Sequence, residues 1–225
     1  MFPISASIKS KKIPVITLMI IAVNIFVFVL QIQANNLDKF ISLYALIPKN
    51  INFLNFSTLL PFVTAMFLHG GFFHLLSNMW FLWVFGDAVE ADLGTFKYLI
   101  LYFAAGILGN FAQYLLNPGS VIPMLGASGA ISGVLGAYMV LFKRSQIKTL
   151  MVFIFSISVV NIPAVIYIFY WFIIQLFAGI LSLPFSYQSG GVAFFAHVGG
   201  FLAGVYLVKK LKTQNVPYIE GEIVE

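Results

Sequence analysis

Residues 123–136 read PMLGASGAISGVLG, which places four glycines and two serines inside an otherwise apolar part of the chain. Glycine disfavours a helix by about 1 kcal/mol per residue relative to alanine, and an unpaired hydroxyl is costly in an apolar environment. Both residue types therefore need a reason here, either close packing of helices or chemistry at the serines. The rest of the chain decides between the two.

The composition around this stretch is that of an integral membrane protein. Of the 225 residues, 61% are hydrophobic and 8% are charged, whereas soluble domains carry about 25% charged residues. Since a membrane-spanning helix needs roughly 20 apolar residues, the length fits one bundle of several spans and no sizeable extramembrane domain. The chain contains no cysteine, which excludes disulfides, iron–sulfur clusters and thiolate metal sites.

Basic residues lie in three short clusters, at positions 9–12, 143–148 and 209–212, each beside an apolar run. This arrangement is typical of the cytoplasmic flanks of membrane helices. The net charge of +5 therefore indicates a lipid bilayer as partner and does not indicate nucleic acid.

Six apolar runs predict six membrane-spanning helices, at about 13–33, 72–89, 95–116, 126–142, 163–180 and 192–208. Six spans put the three basic clusters on one side of the membrane, as the positive-inside rule requires. Residues 34–71 are apolar but broken by asparagine and proline, which predicts a half-embedded loop after the first helix. The 32 uncharged residues 149–180 are too many for one helix and too few for two, so we assign an interfacial segment before the fifth span.

The predicted fold is an all-α polytopic membrane protein with three parts. These are a cytoplasmic N-terminal flank over 1–12, a six-helix membrane domain over 13–212, and a polar, disordered cytoplasmic tail over 213–225. Both termini are then cytoplasmic. The compact six-span core without a targeting extension leads us to expect a bacterial plasma membrane.

Five polar side chains lie where lipid would reject them: His74 and Asn78 in the second span, Ser128 and Ser132 in the fourth, and His197 in the sixth. Intramembrane residues of this kind usually face the bundle interior and mark function. His74 and Asn78 are four residues apart, hence on one helix face. With six spans, these two residues, Ser128 and His197 all lie at similar depth near the outer side, which predicts a single polar pocket.

The chemistry that such a pocket could perform is acyl transfer. A serine hydroxyl needs a neighbouring base to become a nucleophile, and neutral histidine suits that role. The tetrahedral intermediate needs donors aimed at its oxyanion, which His74, Asn78 and the free backbone N–H groups at a helix start can supply. No aspartate or glutamate lies within spans four or six, so a Ser–His dyad is implied.

Other interpretations of these residues remain open. A serine in a membrane helix commonly bonds the carbonyl four residues earlier. His69 and His74 are five residues apart with no carboxylate nearby, so we expect no zinc site. The glycines at 129 and 133, and at 200 and 204, form small-xxx-small pairs that predict close packing of spans four and six. We interpret Asn24, Gln113 and Gln175 as packing residues.

Three motifs together resemble those of the rhomboid intramembrane serine proteases: GASGA at 126–130, His74-x-x-x-Asn78 and AHVGG at 196–200. The likeness continues through HGG at 69–71, Glu90-x-x-x-Gly94 and GGV at 190–192, and so covers about residues 60–210. Three motifs in the right order on spans two, four and six make the resemblance specific.

The resemblance implies roles for these residues. Ser128 would be the nucleophile and His197 the general base, while His74, Asn78 and the Ser128 backbone N–H would form the oxyanion hole. Gly126 and Gly129 would support the site. Such proteins cleave single-span membrane proteins near the end of the substrate helix at small residues, have a partly embedded loop after the first span, and need no metal or organic cofactor. By the same resemblance the fifth span is one candidate gate for substrate, and the active site opens to the outer side.

One position departs from the family pattern. Many members carry an aromatic residue four positions after the nucleophile, packed beneath the catalytic histidine, where this chain has Ser132. We hypothesise that the Ser132 hydroxyl hydrogen-bonds the imidazole of His197 or a bridging water.

Two other functions compete with an endopeptidase. A rhomboid-like pseudoprotease would bind membrane clients without cutting them, although such relatives usually lack the serine or the histidine. A small transporter would have charged or broken helices meeting at mid-depth, often with an internal repeat. The polar residues here cluster near one end of their spans, and we find no repeat.

Overall fold

The computed structural model describes residues 1–10, 13–153, 156–183, 192–211 and 219–220. The helices are α1 (Val15–Gln33), α2 (Leu37–Tyr44), α3 (Pro61–Thr64), α4 (Phe72–Leu93), α5 (Thr95–Leu116), α6 (Ser128–Leu141), α7 (Ala164–Ser182) and α8 (Phe194–Lys210). The strands are β1 (Phe2–Ala6), β2 (Ile8–Lys9), β3 (Gln146–Phe153), β4 (Ser156–Pro163) and β5 (Ile219–Glu220). The fold is therefore mostly helical, and the six longest helices coincide with the six predicted apolar runs.

Length and composition identify the strongest candidates for membrane crossing. Helices α1, α5 and α7 are each long and apolar enough to span a bilayer. Residues 56–67 and α4 together make a fourth candidate, bent by 80° between its two parts. Helix α6 is apolar but has only 14 residues. Three or four spans thus follow from the helices alone.

The mostly helical fold also contains a small β-sheet that the sequence analysis did not predict. Strands β3 and β4 form an antiparallel hairpin, and β1 pairs with β3 so that Phe2 lies opposite Leu150. The predicted interfacial segment and the predicted flank are thus joined in one sheet. The reason lies in residues 156–163, which are rich in β-branched side chains, as strands prefer, and whose exposure alternates along β4.

The sheet is held against α4. The indole N–H of Trp80 donates a hydrogen bond of 2.7 Å to the carbonyl of Pro3, and the Phe2 ring stacks on Trp80 at 5.6 Å between centroids. The predicted tail over 213–225 lies outside the described residues apart from Ile219–Glu220, which form β5 and pair with β2.

The loop predicted over 34–71 folds into short helical pieces. It contains α2, α3 and three 3-10 turns at 48–50, 56–58 and 65–67. Asparagines start two of these pieces, because the Asn36 side chain accepts from the backbone of Lys39 and the Asn55 side chain from that of Ser57. Two of the asparagines that break the apolar pattern in the sequence, Asn36 and Asn55, are therefore helix caps.

Glu90 anchors the start of α1. Its carboxylate accepts hydrogen bonds from the backbone N–H groups of Ile16 (2.9 Å) and Thr17 (2.8 Å) and from the Thr17 hydroxyl (2.8 Å). These N–H groups have no partner within the helix, and an anion at a helix N-terminus is favourable. Four residues later Gly94, with φ of +75°, makes the sharp turn between α4 and α5, a conformation that side chains disfavour.

Helix α6 lies at the centre of the molecule. Residues 129–138 are all buried, and the helix packs against α4, α5 and α8. A Cβ atom added at Gly200 would collide with the carbonyl oxygen of Gly129, and one at Gly204 with that of Gly133. The predicted close packing through these two glycine pairs is confirmed, and it sets how near α8 lies to the start of α6.

Candidate active site

The nucleophile candidate begins α6. Ser128 is the first residue of that helix, so its own N–H and the next ones are free of partners within the helix. The preceding segment is fixed by backbone hydrogen bonds from Met124 to Leu46 (2.8 Å) and from Gly126 to Ala65 (2.9 Å). The segment that leads to Ser128 is therefore fixed by backbone hydrogen bonds to other parts of the chain.

Ser128 and His197 are in direct contact. The Ser128 Oγ and His197 Nε2 atoms are 2.7 Å apart, although the residues are 69 positions apart in the sequence. His197 is in the first half of α8 and only 8% exposed. The approach of the two side chains follows from the glycine contacts between α6 and α8, as the sequence predicted.

The other ring nitrogen of His197 contacts a residue that the sequence analysis treated as packing. Gln175 of α7 places its Oε1 atom 2.6 Å from His197 Nδ1. An amide oxygen only accepts hydrogen bonds, so Nδ1 carries the proton in this arrangement. Nε2 is then the acceptor of the Ser128 hydroxyl, which is the tautomer that a general base needs.

Helix α7 also covers one face of the imidazole. The ring of Trp171 lies 6.0 Å from that of His197 at an interplanar angle of 32°. Trp171 and Gln175 are four residues apart and hence on one face of α7. The aromatic contact that the family pattern expects from the fourth span is thus supplied here by the helix that also carries Gln175.

Ser132 does not bind the imidazole. Its hydroxyl donates a hydrogen bond of 2.6 Å to the backbone carbonyl of Ser128, which is the contact that serines in apolar helices commonly make. Both ring nitrogens of His197 already have partners in Gln175 and Ser128. The hypothesis that Ser132 orients His197 is therefore wrong for this arrangement.

Two side chains of α4 present donors beside Ser128. Asn78 is only 6% exposed, and its Nδ2 atom has no hydrogen-bond partner among the described residues. His74 accepts a hydrogen bond of 3.2 Å at Nδ1 from the backbone N–H of Gly70, which leaves the proton of the neutral ring on Nε2. A buried donor without a partner is costly, and the Asn78 side chain lines the same cavity as Ser128.

Gly126 keeps that space open. Its φ of +129° is one that side chains rarely adopt. A Cβ atom at this position would lie 3.0 Å from His74 Nε2 and 3.6 Å from Ser128 Oγ. The volume between the histidine donor and the serine oxygen is therefore free because residue 126 lacks a side chain.

These groups line one cavity of about 850 Å³. His74, Asn78, Ser128, Gln175 and His197 all contribute to its wall. His69 lies behind His74 with 5.2 Å between the ring centroids, and its backbone is held by hydrogen bonds to the Gln31 side chain. In the described part of the chain, no three His, Asp or Glu side chains lie close enough to share a metal ion.

The arrangement is suited to acyl transfer. It combines a nucleophile, a base on that nucleophile, a group that orients the base, and donors next to the attacking oxygen. Gln175 is the functional candidate that the sequence reasoning missed. The sequence contains an indication of this role, because a glutamine in the uncharged run 149–180 is as unexpected as a serine in the fourth span.

Comparison with known proteins places the same residues in a family. The model of the Rhomboid domain family matches residues 57–213. Rhomboid protease GluP of Bacillus subtilis (strain 168) is 33% identical over 151 residues, which are 66% of this chain and 25% of that protein. Putative rhomboid protease YdcA of the same bacterium is 38% identical over 109 residues, 44% of this chain and 54% of that protein.

A mitochondrial relative is also similar. The mouse protein named Presenilin-associated rhomboid-like protein, mitochondrial, is 29% identical over 153 residues, which are 66% of this chain and 37% of that protein. Across these three relatives, the matched region spans between a quarter and about half of their length.

Proposed function

Because the chain belongs to the rhomboid family and is an integral membrane protein, we propose that it is an intramembrane serine endopeptidase with a Ser128–His197 dyad. The observation that carries this proposal is the 2.7 Å contact between Ser128 Oγ and His197 Nε2 inside the cavity that Asn78 and His74 also line.

Acylation would proceed through these atoms in order. Ser128 Oγ attacks the carbonyl carbon of the scissile peptide bond while its proton passes to His197 Nε2. The oxyanion forms in the space beside Gly126 and accepts hydrogen bonds from Asn78 Nδ2, His74 Nε2 and the Ser128 backbone N–H. His197 then gives the proton to the leaving amine, and the peptide bond breaks to leave an ester on Ser128.

Deacylation repeats the same proton transfers with water. His197 Nε2 takes a proton from the attacking water, and the same donors stabilise the second oxyanion. The proton returns to Ser128 Oγ as the ester breaks. Side chains and backbone donors complete this cycle, so the proposed reaction draws on no metal or organic cofactor.

The orientation in the membrane that we propose has six spans, with both termini cytoplasmic. His74, Ser128 and His197 all lie near the N-terminal ends of their helices. Arg144 follows the C-terminal end of α6, and Lys209 and Lys210 end α8. The basic clusters and the site are therefore at opposite ends of the bundle, which supports an active site that opens to the outer side.

The substrates that we propose are single-span membrane proteins of a bacterial plasma membrane. A peptide bond inside a helix is shielded by its own hydrogen bonds, so the substrate must unwind locally before attack. Small substrate residues suit attack by Ser128 because they fit the narrow space beside Gly126 at the start of α6. The names of the bacterial relatives, both called rhomboid proteases, agree with a proteolytic role.

Labelling with a fluorophosphonate tests the nucleophile. We expect the purified protein in detergent or liposomes to be labelled, Ser128→Ala to show no labelling, and His197→Ala to react far more slowly. Ser132→Ala is the matched control and should label like the unmodified protein, because Ser132 bonds only a backbone carbonyl. Labelling that persists in Ser128→Ala would overturn the proposal. A folded protein that is never labelled would favour a client-binding pseudoprotease.

A further inference from the structure

His197 has a hydrogen-bond partner on each ring nitrogen, and the two partners come from different helices. Ser128 of α6 lies at Nε2 and Gln175 of α7 at Nδ1, at 2.7 and 2.6 Å. The ring is buried, and Trp171 covers one face. These contacts therefore set three properties of the imidazole that matter for catalysis. They are its tautomer, its tilt and its distance to the serine.

A general base of this kind needs a group that holds it. In serine proteases with three catalytic residues, an aspartate accepts a hydrogen bond from Nδ1–H and keeps the imidazole in the reactive tautomer. Helices α6, α7 and α8 contain no aspartate or glutamate. The residue that occupies the position of the third group in this chain is Gln175.

We propose that Gln175 is a positioning residue that fixes the tautomer and orientation of His197 through its amide oxygen, while Trp171 restricts the tilt of the ring. This inference rests on the proposed protease function. It assigns a third member to the Ser128–His197 pair, supplied by α7.

A neutral amide suits this place better than a carboxylate. A carboxylate inside a membrane protein is costly to desolvate unless it is paired, and next to the imidazole it would stabilise the protonated ring. Among the described residues, His74 of α4 is the titratable side chain that acts electrostatically on His197 from another helix. Ser128, Trp171, Gln175 and Phe194 also lie against the His197 ring. An amide oxygen selects the Nδ1–H tautomer and adds no charge next to the ring.

Two substitutions at Gln175 separate positioning from packing. Gln175→Met keeps the length of the side chain but removes the amide acceptor, so kcat should fall about tenfold or more, a part of the 10²–10⁴ that general base catalysis supplies, with KM within about twofold. Gln175→Glu restores an acceptor at the same place. It should recover kcat at high pH, with the acidic limb of the pH profile moved upward by about one unit or more.

Gln113→Met is the matched control for both variants. Gln113 is another glutamine that bonds α8, since its side chain accepts from the backbone N–H of Phe195 at 2.9 Å, two residues before His197. Its loss should lower thermal stability and leave the acidic limb of the pH profile in place. A purely structural role for Gln175 gives the same pattern as Gln113→Met, and that outcome would overturn the inference.

The failure of this inference is distinguishable from the failure of the proposed function. A protein that fluorophosphonate does not label fails as a protease, whatever Gln175 does. A labelled protein whose Gln175→Met and Gln175→Glu variants keep the unmodified kcat and pH profile remains a protease without a positioning glutamine.

Nitrogen NMR of the unmodified protein adds a test that does not depend on a variant folding. The chain contains three histidines, so a sample labelled with 15N-histidine gives few ring signals. The inference predicts that His197 is protonated at Nδ1 and not at Nε2. The opposite tautomer would overturn it.

Discussion

At the scale of single residues, three residues matter for the proposed oxyanion position. Asn78 and His74 would supply hydrogen-bond donors, and Gly126 has no side chain to fill the space. Asn78 lines the cavity with a buried amide whose Nδ2 has no partner in the described part of the chain. His74 places Nε2 next to the space that a side chain at Gly126 would fill. Gly126 leaves that space empty. A folded protein retains an unsatisfied buried donor at a cost of about 1–3 kcal/mol, so function is the natural reason for its presence.

Asn78→Ala should separate catalysis from stability. We expect kcat to fall by about 10²-fold or more, as the loss of one oxyanion donor does in other proteases. The melting temperature should stay the same or rise, because the substitution removes a buried donor that has no partner among the residues that the structure describes. Cleavage kinetics and thermal unfolding of the same preparation measure both effects.

Asn110→Ala is the control for that experiment. Asn110 is also a buried asparagine, and its side chain donates a hydrogen bond of 2.9 Å to the carbonyl of Phe62. Its removal should lower the melting temperature and leave kcat within a few-fold. An Asn78→Ala enzyme that works at full rate would remove Asn78 from the mechanism.

The sequence could predict which candidate site residues lie close together when their spacing within one helix determined it. His74 and Asn78 share a helix face, and glycine pairs brought α6 and α8 together, so Ser128 and His197 could be expected to meet. The partner of His197 Nδ1 could not be predicted in this way. It depends on how α7 is rotated against α8, and for the same reason Ser132 was given a bond that it does not make.

At the scale of elements, α7 is exposed along much of its length and also contacts the candidate site. Only 22% of its 18-residue apolar stretch is buried inside the protein, yet both Trp171 and Gln175 of this helix contact the His197 ring. It packs on α8 through Gly179, where an added Cβ would lie 3.2 Å from the Cβ of Phe194. By the family resemblance, the fifth span, which is α7, is one candidate gate for substrate. If α7 moves aside to admit a substrate helix, the same motion changes the contacts of His197.

A reversible cross-link between α7 and α8 tests that motion. The natural chain has no cysteine, so the pair Gly179→Cys and Phe194→Cys gives a single disulfide after a small adjustment of the 3.2 Å spacing toward the usual Cβ separation of about 3.8 Å. We expect the oxidised protein to cleave a single-span substrate at least about tenfold more slowly than the reduced protein, with fluorophosphonate labelling retained.

The reduced form of the same variant is the control, since it carries both substitutions without the constraint. Full-rate cleavage by the oxidised protein would exclude α7 as the moving element. Loss of labelling together with cleavage would place the effect on the dyad itself instead of on substrate entry.

The sheet formed by β1, β3 and β4 shows why element type was harder to predict than element position. Residues 149–162 are uncharged and apolar, and in a membrane protein that pattern favours an interfacial or spanning segment. The period-two alternation of β4 is the competing signal. The other strand that pairs with β3 is β1, which lies more than 140 positions away from it along the chain. Long-range pairing of this kind leaves little trace in local sequence.

At the scale of the whole molecule, three arrangements outside the candidate catalytic side chains set the geometry and the orientation of the site. The glycine pairs set the approach of α6 and α8, Glu90 fixes α1 to the end of α4, and the basic clusters mark the end of the bundle opposite to the site. Together they place the candidate site for the proposed hydrolysis inside an apolar protein, close to one end. A substrate helix would therefore be cut near its outer end.

The most direct test of the protease assignment is cleavage in liposomes. The purified protein is reconstituted with a single-span substrate that carries a different tag at each end, and the cut position is read by mass spectrometry of the products. We predict one main cut at or near the outer end of the substrate's membrane segment, present with Ser132→Ala and absent with Ser128→Ala. Equal cleavage by the Ser128→Ala protein, or no cleavage by an unmodified protein that fluorophosphonate labels, would contradict the assignment.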